Sequence, residues 1–275
     1  MKRKKERKIT PPINTQVIWI VGASSGIGAA LAKHYSSLGA RLILSARSRD
    51  GLYHVKTTCK ANPMNIHVLP LDLEKNDTLV EKTQEALRIF GRIDTVIHTA
   101  GITQRALAVE TDITVAKKIM TVNYWGPVTI TQALLPSMLS QGRGHIIVIS
   151  SLMGKIGTQL RSSYAASKHA LHGYFESLRP EIYASNIHIS MVCPGFVNTS
   201  LGEKALKGNG ELYLKKDDVH RNAMSVEEFV KKLSPHLAKQ KEEIFIAGPE
   251  IKVIWASKFL PGKFFRKKIR ESKVI

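Results

Sequence analysis

Tyr164 and Lys168 stand four residues apart in the run Ser163-Tyr164-Ala165-Ala166-Ser167-Lys168, and Ser151 precedes the tyrosine by thirteen residues. On a helix, residues four apart share a face, so the phenol and the ammonium can occupy one pocket. A free phenol titrates near ~10, and a neighbouring ammonium favours phenolate, which brings the tyrosine closer to exchanging protons at working pH. The same spacing occurs on many solvated helix faces, so its meaning depends on the elements that position it. His169 and His172 lie on the same stretch, but no third ligand stands nearby in the sequence, and a metal site is not expected.

The chain has 275 residues, 43% hydrophobic and 23% charged, which suits one α/β domain with a substantial core. Cys59 and Cys193 are the only cysteines, so neither a disulfide framework nor a cysteine-rich zinc site is expected, and a reducing intracellular setting fits. The net charge of +19 is concentrated at the ends, with +5 in residues 1–8 and +7 in residues 252–275. Basic ends serve solubility, nucleic acid or an anionic membrane surface. No aromatic platform or reading motif supports specific nucleic-acid binding. A secretion signal is not expected, because Val17 to Ala23 is short and Thr10-Pro11-Pro12 separates it from the basic start. No apolar segment approaches a membrane span. The expectation is a cytoplasmic protein, with the basic tails as a route to peripheral contact with a membrane's cytoplasmic face.

Residues 1–15 read as a flexible basic arm. Gln16 to Val21 reads as a buried parallel strand, and the turn Gly22-Ala23-Ser24-Ser25-Gly26-Ile27-Gly28 then opens a helix. Glycines let such a turn approach a pyrophosphate, and helix amides and dipole stabilise its charge. A second strand, Arg41 to Ser45, ends in Ala46-Arg47-Ser48, where an adenosine ribose would lie. Ala46 offers no acid for a 2′-hydroxyl, whereas Arg47 offers a guanidinium suited to a 2′-phosphate, so NADP(H) is expected over NAD(H).

After a helix around 50–61, the strand Ile66 to Leu69 leads to Asp72 and Leu73; Asp72 either caps a helix at 75–90 or accepts from an adenine amino group. A fourth strand over 91–97 ends in His98-Thr99-Ala100-Gly101, whose Ala100 and Gly101 allow a cofactor close to the backbone. Residues 114–140 read as one long helix with a partly buried Asn123 near its middle and Pro127 able to bend it. The strand His145 to Ile149 delivers Ser151 to a carboxyl edge, where it either faces a ligand or caps a helix. The helix carrying Tyr164 and Lys168, a strand Ile187 to Val192, a Gly-rich segment at 200–224 suited to a mobile lid, a helix at 225–239 and a last strand from Glu243 to Ala247 complete the pattern.

The ordered set Gly22-x-x-x-Gly26-x-Gly28, Asp72, Asn123, Ser151, Tyr164-x-x-x-Lys168 and Pro194-Gly195-x-Val197-x-Thr199 resembles the classical short-chain dehydrogenase/reductases over residues 16–248. The resemblance implies a single-domain, Rossmann-type, doubly wound sheet of about seven parallel strands and a dimer or tetramer. It implies that Tyr164 exchanges the proton, Ser151 bonds the substrate oxygen, and Lys168 holds the nicotinamide ribose while lowering the tyrosine pKa. Asn123 would support a water relay from Lys168. Ser24, Ser25, Ile27, Leu73, Pro194, Gly195, Val197 and Thr199 would join the cofactor contacts. Hydride would pass between nicotinamide C4 and a carbonyl or carbinol carbon of a fairly apolar small molecule. The alternatives are a 3-oxoacyl thioester reductase and a non-catalytic NADP(H)-binding redox sensor.

Two positions depart from the family pattern. His98-Thr99 replaces a pair of asparagines and Val21 replaces a threonine, so an altered contact between two strands is expected there. Residues 198–225 are similar to the retinol- and steroid-reductase-like branch, which is often membrane-associated. In the tail at 249–275, Ile251, Ile254, Trp255 and Phe259 fall at helical spacing before a basic cluster, suiting either docking on the core or an interfacial anchor.

Overall fold

Short runs of Val, Ile and Leu alternate with helix-forming stretches, and this alternation fixes a parallel sheet because each strand must return by a crossover. The computed structural model describes residues 11–214, 223–259, 262, 263 and 267. Seven strands form one parallel sheet: β1 (Val17–Val21), β2 (Arg41–Ser45), β3 (Ile66–Val68), β4 (Thr95–His98), β5 (Gly144–Ile149), β6 (Ile187–Pro194) and β7 (Glu243–Ile246). Their spatial order is β3-β2-β1-β4-β5-β6-β7. The order reverses direction between β1 and β4, which opens a crevice at the carboxyl ends of these central strands.

All five residues of β1 are buried, and they alternate between two cores. Val17, Trp19 and Val21 face the layer of α3 (Leu79–Phe90), α5 (Gly126–Gln141) and α6 (Ser162–Glu181). Ile18 and Ile20 face the layer of α1 (Gly26–Ser37), α2 (Arg49–Thr58) and α7 (Val226–Ala238). Trp19 satisfies its buried indole by donating to Ser45 Oγ at 2.9 Å. At the amino ends of the strands, buried Asp94 accepts from Val17 N at 2.9 Å, Arg92 Nε at 3.0 Å and Arg143 Nε at 3.1 Å. The sheet is therefore pinned by ion pairs at the edge opposite the crevice.

The single helix expected over 114–140 is interrupted. α4 (Ile113–Met120) passes into a π-helical turn, Thr121–Trp125, before α5 begins with Pro127 in its first turn. The extra residue in that turn, rather than a proline bend, is what turns Asn123 inward to complete burial. Asp72 is not the cap of a helix at 75–90: its Oδ1 accepts from Glu74 N at 3.0 Å, a local turn, and α3 starts only at Leu79.

The lid expected at 200–224 is described in part. Residues 200–214 pack onto the loop after β4 through a bridge of Leu206 with Gln104, fold back on themselves through a bridge of Leu206 with Leu212, and place Leu206 with Val115 and Ile119 in a small apolar cluster. Residues 215–222 lie outside the described residues, as do residues 1–10 of the basic arm. In the tail, α8 (Ile251–Phe259) divides its stripe: Ile254 is buried against Leu152 and Cys193, whereas Trp255 and Phe259 are exposed with their rings stacked at 6.4 Å. The basic cluster beyond it falls largely outside the described residues. Among the described residues, no helix is long and apolar enough to cross a membrane.

Candidate active site

The turn after β1 is shaped by glycines. Gly22 has φ +100°, and a Cβ there would lie 2.4 Å from Ala100 N; a Cβ on Gly28 would lie 2.2 Å from Gly22 O. Only bare backbone lets the turn fold this tightly against the end of β4. Ser25 caps α1 without a side-chain hydrogen bond, and the first turn of α1 contains no acidic residue. The half-exposed Ser24, Gly26 and Ile27 and the exposed Ser25 thus surround helix amides that an anion can bind. This arrangement fits the pyrophosphate of a dinucleotide.

The contact expected to be altered by Val21 and His98-Thr99 is instead made from the β4 side. Thr99 Oγ1 donates to Val21 O at 2.9 Å and lies 3.1 Å from Gly22 O. One hydroxyl therefore ties the Gly-rich turn to β4, while His98 turns to Thr131 at 3.1 Å. Burial drives the His98 pKa down to about 3, so this ring is neutral.

Along the same edge, β5 leads to Ser151, whose hydroxyl is both a cap and a site group. It accepts from Met153 N at 3.1 Å, and it stands close enough to the Tyr164 phenol to favour the phenolate. Tyr164 is buried on α6, with Lys168 buried one turn further along. Lys168 Nζ donates to Ile149 O at 2.9 Å and lies 5.7 Å from the centroid of the Tyr164 ring. Burial brings the Lys168 pKa down to about 8.

In this arrangement burial acts on the phenol and the ammonium together. Burial pushes the phenol above its ordinary value, and the counteracting influences are the nearby Ser151 hydroxyl and the charge of Arg161. Desolvation disfavours the charged form of each group, raising the phenol and lowering the ammonium.

Asn123 spends its amide on three partners. Oδ1 accepts from Ile102 N at 2.8 Å, and Nδ2 donates to Ile102 O at 2.9 Å and Ser167 Oγ at 3.0 Å. Gly101 sits between Asn123 and Lys168, where a Cβ would lie 3.3 Å from Asn123 Oδ1 and 3.7 Å from Lys168 Nζ. The residues Ala100-Gly101-Ile102 are thereby held between the Gly-rich turn and α6.

At the ribose end, Arg47 pairs with Glu74 at 2.9 Å, and Lys118 reaches the other oxygen of Glu74 at 3.0 Å. Asp72 and Leu73 are close by, with Leu73 packed against Gly126. On the far side of the crevice, β6 ends at Pro194 and the chain turns through Gly195 to Val197 and Thr199. Thr199 reaches across to Gly26, where an added Cβ would lie 3.2 Å from its methyl group. Gly195 is required because a Cβ there would meet Glu250 Oε1. Sequence reasoning missed Glu250, whose Oε1 accepts from Phe196 N and Gly248 N at 3.0 Å each. No spacing signals it, because the contact spans 54 residues. Arg161 was missed as well, although it stands one helical turn before Tyr164 and the four-residue logic extends naturally to it.

A doubly wound sheet with a Gly-rich turn at its switch point, and a half-buried Ser151 with buried Tyr164 and Lys168 beside it, defines a nicotinamide-dependent oxidoreductase. The family model for short chain dehydrogenase matches residues 16–210, and the chain belongs to that family. It is 35% identical over 263 residues to dehydrogenase/reductase SDR family member 7B of Danio rerio, covering 93% of this chain and 85% of that protein. It is 34% identical over 255 residues to dehydrogenase/reductase SDR family member 7 of Homo sapiens, covering 90% and 75%. Among solved structures, a short-chain dehydrogenase from Burkholderia cenocepacia in complex with NADP superposes with a TM-score of 0.76 at 20% identity, covering 94% of this chain and 98% of that one. One from Burkholderia phymatum in complex with NAD gives a TM-score of 0.79 at 20% identity, covering 97% and 99%. The protein is thus an NAD(P)(H)-dependent oxidoreductase acting on a small-molecule carbonyl or alcohol.

Proposed function

We propose that the protein transfers hydride between NADP(H) and a carbonyl or carbinol carbon of a substrate with a largely apolar body, and that Tyr164 exchanges the proton with the substrate oxygen. The observation that carries this reading is the placement of Ser151, at the carboxyl edge of β5, beside the buried Tyr164 with Lys168 buried one turn further along α6. When bound along the Gly22–Gly28 turn, the cofactor supplies the hydride. The chain's own residues do the rest: Ser151 and Tyr164 grip the substrate oxygen, and Tyr164 gives up or takes the proton there. Lys168 holds the nicotinamide ribose, and Asn123 positions the Gly101–Ile102 backbone beside it, in support of a relay toward solvent. Met153 and Leu160, both half-exposed on the loop between Ser151 and Tyr164, support an apolar substrate body.

Preference for NADP(H) is supported by Arg47 at the end of β2, where Ala46 supplies no acid. Glu74 is its present partner, so a 2′-phosphate would compete with a carboxylate for the same guanidinium. Asp72 and Leu73 lie at the adenine end, and Gly195, Val197 and Thr199 at the nicotinamide end, consistent with contacts along the whole dinucleotide.

Replacing Tyr164 by Phe tests the reading. NADPH-dependent turnover of a ketone should fall by roughly 10²–10⁴-fold, while NADPH binding, followed by its fluorescence, persists. An unchanged turnover number would refute the assignment.

A further inference from the structure

Arg161 stands immediately before α6, one turn from Tyr164, and it is only 8% exposed. Among the described residues its guanidinium makes one hydrogen bond, from Nη1 to Thr103 Oγ1 at 2.8 Å, and its buried Nε has no partner. A guanidinium carries five N–H donors, so most of its capacity is unspent. Among the described residues the groups whose charge reaches it are Arg105 and Tyr164, and neither is a carboxylate. Burying a cation without a counter-ion is among the costliest arrangements a folded chain can hold.

The surroundings add positive potential. Arg161 occupies the amino-terminal end of the twenty-residue helix α6, the positive pole of its dipole. The second amide there is already satisfied, because Ser163 N donates to Gln104 Oε1 at 3.1 Å. The Arg105 guanidinium lies near enough for the two charges to oppose each other, which together with burial lowers Arg161 to about 10 and still leaves it cationic at neutral pH. Arg105 is carried by the loop after β4, whose backbone is bonded to the 200–214 segment through Arg105 N and Leu206 O at 2.8 Å, and its guanidinium lies 5.9 Å from the Tyr213 ring centroid. The two regions expected to bind the cofactor's own phosphates are elsewhere, at the Gly22–Gly28 turn and at Arg47.

We propose that Arg161, with Arg105 beside it, is an anion subsite for the substrate: the carbonyl compound carries a carboxylate or a phosphate that pairs with Arg161 while its reacting oxygen lies at Ser151 and Tyr164. The proposal rests on the reductase reading above and narrows its substrate class to anionic carbonyl compounds and the corresponding alcohols. It gives the orphaned Nε a partner and places the counter-charge within reach of the proton-transfer residue.

The test uses the full chain saturated with NADPH. Levulinate and a longer oxo acid are each compared with their methyl esters, and hydroxyacetone phosphate with hydroxyacetone. Wild type should favour the charged member of at least one pair by about tenfold or more in kcat/KM, the size expected of a charge-assisted hydrogen bond. Arg161→Met should bring that ratio close to one, and Arg161→Lys should retain part of it. In parallel, the thermal midpoint is followed in acetate and in inorganic phosphate against chloride of equal ionic strength. The anion of the preferred class should raise the midpoint of wild type and not that of Arg161→Met.

A response confined to the carboxylate arm or to the phosphate arm identifies the group. A charge preference or an anion shift that survives in Arg161→Met overturns the proposal. If the variant does not fold, wild type alone decides: ester and acid reduced equally, phosphate and alcohol reduced equally and no anion shift would overturn it. Turnover of neutral ketones without charge preference would sink the subsite and leave the reductase reading intact. An anion shift with no ketone turned over would do the reverse.

Discussion

Replacing Asn123 by leucine removes three hydrogen bonds from a side chain with no exposure, in a slot that leucine fills without a large cavity. Ser167 keeps a partner, because its hydroxyl already donates to Tyr164 O at 2.7 Å. Ile102 loses a partner on both its N–H and its C=O. Each orphaned group costs about 1–3 kcal/mol when dry, or roughly 2–6 kcal/mol together. Ile102 is half-buried, so water can partly replace the amide, and the expected loss lies near the lower end, about 2–3 kcal/mol.

For a chain of this size that corresponds to a fall of roughly 4–12 °C in Tm, measured by circular dichroism or scanning calorimetry. Activity should fall as well, because Gly101 abuts Lys168 Nζ and a loosened 101–102 backbone frees the ammonium to shift; a drop of about tenfold or more in kcat is expected. Asn123→Asp should be intermediate in stability, since its carboxylate still accepts from Ile102 N but faces Ile102 O. A leucine variant with wild-type Tm and kcat would refute the view that this amide holds the site together.

Glu74→Gln should release Arg47 and raise the NADPH-over-NADH ratio of kcat/KM a few-fold, whereas Arg47→Ala should lower it by about tenfold; the modest size reflects an arginine side chain that is 61% exposed and screened by water. An unchanged ratio in both variants would place cofactor choice elsewhere. His98 and His145 are both buried neutral with pKa values of about 3, against an ordinary value of 6.5. Because the folded values are depressed, the unfolded chain binds protons first, and stability present above pH 6.5 is lost as pH falls toward 3, at about 1.4 kcal/mol per pH unit for each ring. Urea unfolding across that range, with His98→Asn and His145→Asn giving shallower slopes, checks this. Glu250→Ala should free Phe196 N and Gly248 N, lower stability by about 2 kcal/mol and raise the KM for the cofactor; a silent substitution would show that the Gly195–Thr199 turn holds its shape without the carboxylate.

The strands were legible because a sheet covered on both faces demands continuous apolar runs, and β1, β2, β5 and β6 lie within a residue or two of the runs that announce them. The Gly-rich turn was legible for the same local reason, since positive φ at Gly22 and Gly26 admits few other residues. The single helix expected over 114–140 is broken by a π-helical turn, which carries no proline or glycine signature of its own and is decided by what Asn123 meets inside. Asp72 was offered two roles by its neighbours in sequence, and the late start of α3 removed one of them.

Alone, the sequence determined that Lys168 and the overlooked Arg161 each stand about one helical turn from Tyr164, and which strand delivers Ser151. Tertiary structure decided the electrostatics. Burial shifted the phenol up and the ammonium down, Arg161 joined the charges acting on the tyrosine, Thr99 took over the tie between β1 and β4, and Glu250 came to hold a turn more than fifty residues away. Spacing along a helix is a covalent property of the chain, whereas desolvation and long-range hydrogen bonds exist only once the layers have closed over the site.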